Sequence, residues 1–307
     1  RQMRISMDEI KLYSPKVMMD ILDRYGFKLN KRLGQNFIID GNIINKIADL
    51  ADLDENSGVL EIGPGFGTLT QLLCKKAKKV IAVEVDKNLK EVHKGTLNYP
   101  NLKIIYEDFL KVDVNKLIEE EFQGLDVKIV ANLPYYITTP IITKILEEKY
   151  RVSRIVVMVQ KEVAQRINSK AGTKDYGALT LAVQYRADTE IAMIVPNTVF
   201  MPRPKVDSAV LVLKILPEPR IRVLDERMLF AVIKASFGQR RKTILNGLSQ
   251  GLNISKDIIK ESLVYTGISP GIRGEELTLE EFGRISDQIS KRVKTKEDLN
   301  EDLYQDR

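Results

Sequence analysis

Short apolar runs alternate with amphipathic stretches from Leu33 to Leu216. The runs Gly58–Ile62, Val80–Val85, Leu102–Tyr106, Val127–Ala131, Arg154–Val159, Glu190–Val195 and Ser208–Ile215 have the length and β-branched content of strands. Most are separated by stretches of helical periodicity. Near-continuous Val and Ile strands with helices between them predict an α/β fold, its sheet mostly parallel and covered on both faces. The last two strands are too close for a helical crossover, because only a Pro-rich stretch lies between them. They are expected to form an antiparallel hairpin at the sheet edge.

The flanking regions read differently. Residues 1–32 are rich in Lys and Arg, with Ser14-Pro15 placed as a helix start and Gly26 as a stop. They are assigned to a basic helical N-terminal extension, followed by the sheet domain over residues 33–216. Pro217-Glu218-Pro219 reads as a linker. Beyond it Leu229, Val232, Ile233 and Phe237 recur at helical spacing, as do Ile244, Leu245 and Leu248. Residues 217–294 are therefore assigned to a small all-helical domain. The polar, acidic tail over residues 295–307 is expected to be disordered.

Composition narrows the chemistry. One cysteine and one histidine, Cys74 and His93, argue against a disulfide framework, a zinc cluster and a Ser-His-Asp triad. No metal is expected. No apolar run approaches the ~18 residues of a membrane helix, and the first residues resemble neither a secretory nor a transit segment. A cytoplasmic, membrane-free protein is expected. A net charge of +6 on 307 residues permits a nucleic-acid partner without requiring one.

Val59-Leu60-Glu61-Ile62-Gly63-Pro64-Gly65-Phe66-Gly67 reads as strand, tight glycine turn and helix. Gly63, Gly65 and Gly67 would let a ligand approach the backbone closely. Glu84 ends the second strand, where a carboxylate can accept from both hydroxyls of a ribose. Asp108, just past the third, can accept from an adenine amino group. The spacing G-x-G-x-G, with Glu61 before it, suits a pyrophosphate poorly and a ligand with a positive amino group well. S-adenosylmethionine has that group.

The fourth strand runs into Asn132-Leu133-Pro134-Tyr135-Tyr136. An adenine amino group is a weak nucleophile because its lone pair is delocalised into the ring. Two acceptors aimed at its hydrogens favour a pyramidal nitrogen and stabilise developing charge. The Asn132 side-chain oxygen and the Leu133 carbonyl can supply them, with Pro134 stiffening the turn and Tyr135 stacking on the base. Cys74 falls on an apolar helix, so a cysteine nucleophile for methylation at a pyrimidine carbon is not expected; packing is.

Further motifs occur in one order with these: Lys31-Arg32-Leu33-Gly34-Gln35-Asn36-Phe37, Gln160-Lys161-Glu162-Val163-Ala164, and Phe200-Met201-Pro202-Arg203-Pro204-Lys205-Val206-Asp207-Ser208. Together they resemble the ribosomal RNA adenine N6-dimethyltransferase family, closely its small-subunit branch, over about Lys31 to Arg292. The resemblance implies a Rossmann-like class I methyltransferase sheet with a helical C-terminal domain. It implies dimethylation of two adjacent adenines in a hairpin loop near the 3′ end of small-subunit (16S) rRNA, in an immature 30S-type particle; a monomer is expected. It carries the cofactor role to Asn36, Ile38, Gly63, Glu84, Asp108 and Asn132. Ile38 stands where the family often has Leu. Phe200 is implied as the aromatic facing Tyr135 across the target base.

Cations for RNA phosphates are sought in Lys31 and Arg32, in Arg203 and Lys205 near Phe200, and in Arg240, Arg241 and Lys242, expected on one helix. Three rivals stay open: a large-subunit methylase of the macrolide-resistance type, an assembly factor with secondary catalysis, and a nicotinamide dehydrogenase.

Overall fold

In the computed structural model the described residues are 11–27, 34–239 and 241–305, with the side chains of 294–305 outside the description. Two compact units emerge, one of Arg1–Ala164 and Asp188–Ile215, the other of Gln165–Ala187 and Leu216–Arg307.

The first unit carries the sheet. Its strands are β1 (Phe37–Ile38), β2 (Ser57–Ile62), β3 (Lys79–Glu84), β4 (Leu102–Tyr106), β5 (Asp126–Asn132), β6 (Arg154–Gln160), β7 (Ala187–Val195), β8 (Phe200–Met201) and β9 (Ser208–Ile215). Seven of them form one sheet in the order β4-β3-β2-β5-β6-β9-β7. From β4 to β6 all pairs are parallel, whereas β9 runs antiparallel to β6, with Gln160 opposite Ser208. The last two strands therefore do lie together at one edge. Every residue of β2 is buried, as a central parallel strand covered on both faces requires. Chain order reverses between β2 and β5, and open α/β sheets bind ligands at the carboxyl ends of the strands flanking such a point.

A second ladder has no counterpart in the sequence pattern. β1 and β8 pair antiparallel, Phe37 opposite Met201 and Ile38 opposite Phe200. Two-residue strands carry no periodic signal, so only tertiary pairing reveals them. The first described helix spans Pro15–Tyr25 and ends at Gly26 in a left-handed cap, as its punctuation predicts.

The second unit holds helices Ala178–Arg186, Glu226–Gly238, Ile244–Gly251, Lys256–Tyr265 and Leu279–Gln305. Leu229, Val232, Ile233, Ile244 and Leu248 are buried in one cluster with Ile259, Leu263, Phe282 and Ile285. The division does not fall only at the Pro217–Pro219 linker, because Tyr176, Leu181 and Tyr185 belong to this helical core. The Tyr176 hydroxyl donates to the Leu277 carbonyl at 2.9 Å. The tail expected to be disordered continues the final helix to Gln305; it contains neither Gly nor Pro, and Lys, Glu and Leu favour helix. Arg241 and Lys242 lie on no helix: the preceding helix ends at Gly238, and Thr243 caps the next by accepting from the Asn246 N–H. Arg240 lies outside the described residues.

Candidate active site

One cavity opens at the reversal point. Its wall includes Asn36, Ile38, Glu61, Gly63, Gly65, Glu84, Asp108, Asn132, Leu133, Pro134 and Tyr135, all expected there. Residues from the ends of β2, β3 and β5 thus meet because parallel strands all end on the same side of the sheet.

The glycine turn is shaped by what surrounds it. Gly65 has φ of +57°, and a Cβ there would sit 2.7 Å from the Phe37 ring. Its N–H donates to Glu84 Oε2 at 3.1 Å, and its carbonyl accepts from His93 Nε2 at 2.6 Å. A carbonyl only accepts, so Nε2 carries the proton and, in the neutral ring, Nδ1 accepts from the Tyr106 hydroxyl at 2.8 Å. Burial holds His93 below its ordinary pKa and so favours this neutral form. His93 and Tyr106 therefore prop the turn from beneath, a role that no spacing in the sequence announces. Gly67 does not line the cavity. It starts the following helix at φ of +88°, where a Cβ would strike Leu97 at 2.6 Å, so packing and not ligand contact calls for glycine there.

Two carboxylates are buried in this wall. Glu61 is 1% exposed, and its Oε2 has no hydrogen-bond partner among the described residues. Burial outweighs the lowering effect of the nearby Thr70 hydroxyl and, with the Glu84 charge adding to it, pushes its pKa up to about 8. Glu84 accepts from the Asp86 N–H at 2.8 Å as well as from Gly65, and burial outweighs these bonds to raise its pKa to about 7. An unpartnered buried acid is costly unless a ligand supplies the partner, and a ligand with a positive amino group fits Glu61. Asp108 Oδ1 accepts from the Leu110 N–H at 3.0 Å, leaving Oδ2 as its second acceptor.

The opposite wall is organised by hydrogen bonds. Asn132 Nδ2 donates to the Asn36 carbonyl at 3.0 Å, which fixes the amide with Oδ1 as its remaining acceptor. The Pro134 carbonyl is taken by the Ile137 N–H at 3.2 Å and by Thr138 Oγ1 at 3.1 Å. Gln35, also lining the cavity, donates to Asp86 Oδ2 at 2.8 Å and so ties this segment to the end of β3.

Phe200 departs from expectation. It does not line the cavity and is 4% exposed, packed with Ile38, Val195 and Val210. Its place in β8, locked to Ile38, turns it into the core and away from a stacking position. The Ile38 side chain packs in the same core, although the residue also lines the cavity. Cys74 is buried, its thiol pushed by burial up to about 12, in keeping with a packing role. Arg203, Lys205, Arg241 and Lys242 are exposed, the first two in the sheet unit and the others in the helical unit. Lys31 and Arg32 lie outside the described residues.

This geometry has relatives. The sequence profile described as ribosomal RNA adenine dimethylase matches residues 26–291. The chain belongs to that family. Its reaction is methyl transfer to the amino nitrogen of adenine in ribosomal RNA. The chain is 49% identical over 284 residues to a ribosomal RNA small subunit methyltransferase A of Alkaliphilus metalliredigens, covering 92% of this chain and 99% of the relative. It is 48% identical over 281 residues to the protein of the same name from Bacillus cytotoxicus, covering 90% and 96%. Among solved structures, a dimethyladenosine transferase from Plasmodium falciparum superposes with a TM-score of 0.66 at 26% identity, covering 81% of this chain and 95% of that one. The 23S rRNA methyltransferase ErmE superposes at 0.62, also 26% identical, covering 83% and 99%.

Proposed function

We propose that this chain uses S-adenosylmethionine to dimethylate N6 of two adjacent adenines in a hairpin loop near the 3′ end of small-subunit rRNA. It acts as a cytoplasmic monomer on an immature small-subunit particle. The observation that carries the reading is that Asn132–Tyr135 opens onto the same cavity as Glu61, Glu84 and Asp108. The small-subunit assignment is supported by 49% identity across nearly the full length of a small-subunit methyltransferase, against 26% to a large-subunit one.

The bound cofactor supplies an activated methyl group. Glu61 accepts from its amino group, Glu84 from its ribose hydroxyls and Asp108 from its adenine amino group, while Asn36, Ile38, Gly63 and Gly65 close around it. Asn132 Oδ1 and the Leu133 carbonyl accept from the target amino group and favour the pyramidal nitrogen that attacks. Tyr135 stacks on the target base and holds it in line. No strong general base is required, because the alkylated nitrogen is cationic and releases its proton readily. Arg203, Lys205, Arg241 and Lys242 face RNA phosphates.

Transfer of tritiated methyl groups tests this. Unmethylated small-subunit particles and protein-free large-subunit rRNA are offered separately, and the product is digested to nucleosides. Dimethyladenosine from the small-subunit particles alone is expected. Label in the large-subunit RNA alone would assign the chain to the resistance type of methylase.

A further inference from the structure

Tyr135 is held at both ends. Its backbone belongs to the turn after β5, and its hydroxyl lies 2.7 Å from Ser208 Oγ. The ring is half-buried in the cavity wall, whereas Ser208 is fully buried. Ser208 opens β9, two strands away from β5 with β6 between them. It is itself braced. The Asp207 carbonyl accepts from the Lys161 N–H at 3.0 Å, and Asp207 Oδ1 accepts from the Asn197 N–H at 3.0 Å. Asn197 Oδ1 in turn accepts from Arg203 Nε at 2.9 Å. The serine is thus a fixed point on a part of the fold that does not depend on the turn it supports.

The tyrosine hydroxyl lies on the axis of the second side-chain torsion, so turning about that torsion leaves it in place, whereas a swing about the first torsion carries it through an arc. The torsions at its base limit where the ring goes, and a hydrogen bond at the hydroxyl limits how far it moves. Ser208 does not line the cavity, so it is not placed to touch the cofactor or the target base. Burial raises the Tyr135 pKa, keeping the phenol neutral and able to share a proton with the serine.

We propose that Ser208 is a positioning residue for the methyl-transfer step, acting by anchoring the Tyr135 hydroxyl and so holding in place the ring on which the target adenine stacks. This rests on the reading of Tyr135 as the stacking residue. It separates the tyrosine's two parts: the ring face contacts substrate, and the hydroxyl points away from the chemistry into the protein.

The test is a double-mutant cycle in the full chain, with single-turnover methyl transfer and cofactor affinity measured for each variant. Tyr135→Phe and Ser208→Ala should each slow transfer about fivefold, leave the cofactor dissociation constant unchanged, and together be no slower than either alone. Ser208→Thr, which keeps the hydroxyl, should restore most of the rate. Slowing that multiplies in the double variant, or Tyr135→Phe at full rate, overturns the proposal. Tyr135→Phe keeps the ring and guards against misfolding at the buried serine. Tyr135→Ala distinguishes the two layers. If it is severely slowed while Tyr135→Phe is not, the anchor is wrong and the stacking role stands. If Tyr135→Ala keeps its rate, the stacking role falls and the anchor with it.

Discussion

The two walls of the cavity are built on opposite principles. The wall of β2 and β3 buries two carboxylates beside backbone amides, and leaves one carboxylate oxygen without a partner. The wall after β5 buries no carboxylate; its Asn132 and Tyr135 are uncharged and oriented by bonds to Asn36 and Ser208. The first wall stores unsatisfied interaction free energy that a cation-bearing ligand can relieve on binding. The second stores orientation, which affects the barrier of a step rather than the occupancy of the site. One cavity thus divides binding from rate, and the division is open to attack from either side.

The sharpest attack is Asn132→Ala. Removing one preorganised acceptor is expected to slow methyl transfer on the order of 10²–10³-fold, with cofactor affinity changed by less than about threefold. Rapid-quench transfer and calorimetric titration read the two quantities. A comparable loss in both would mean that the Asn132–Asn36 bond builds the cofactor site as well, and the two walls would not be separable.

Glu61 tests the other wall through pH. A cationic ligand group needs the ionised carboxylate, whereas the empty site favours the neutral acid up to about pH 8. Cofactor affinity should therefore fall as pH drops below 8, by up to about tenfold per pH unit. Glu61→Gln should bind weakly at every pH and flatten that slope between pH 6 and 8. Stability moves the other way. A folded-state pKa raised above the unfolded value contributes stability below about pH 4.5, and that contribution is lost as pH rises through about 8. Glu61→Gln should therefore gain on the order of 5 kcal/mol over the parent at pH 9 but not at pH 4. Denaturant melts at both pH values check the sign. A variant equally stable at both would mean that Glu61 is not strained in the empty site.

The smallest effect sharpens the boundary of the first wall. His93→Leu removes the prop under Gly65 without opening a large void. It should weaken cofactor binding about fivefold, corresponding to one buried hydrogen bond of about 1 kcal/mol, and leave single-turnover transfer at saturating cofactor within twofold. Loss of transfer rate with intact affinity would place His93 with the other wall instead.

What could be read from the sequence follows the same division. Strand ends are legible because apolar runs stop where chemistry starts, so Glu61, Glu84 and Asn132 are placed by their position at those ends. Gly63 and Gly65 are legible because tight turns demand glycine, but Gly67 misleads, since packing against Leu97 demands it equally. His93 and Ser208 are hidden because each acts across a large separation in sequence: His93 reaches Gly65 over 28 positions and Ser208 reaches Tyr135 over 73. Phe200 misleads for a related reason. Its surrounding motif is distinctive, but a two-residue ladder invisible to periodicity turns the ring into the core. The helical run to Gln305 is hidden by polarity, a cue that does not separate a polar helix from an unstructured chain.

The tyrosine anchor also has a consequence for how the chain comes into being. Every residue lining the cavity lies between Gly34 and Ile137. Ser208 is 73 positions beyond the tyrosine it holds. A polypeptide emerging from N- to C-terminus therefore contains the entire lining before it contains the residue that steadies the aromatic ring. At ~5–20 residues per second this interval lasts several seconds. Through that interval the nascent chain has all the residues of its methyl-donor site and a tyrosine still free to swing. Competence in this enzyme is acquired in sequence, with the lining first and the anchor of its aromatic platform last.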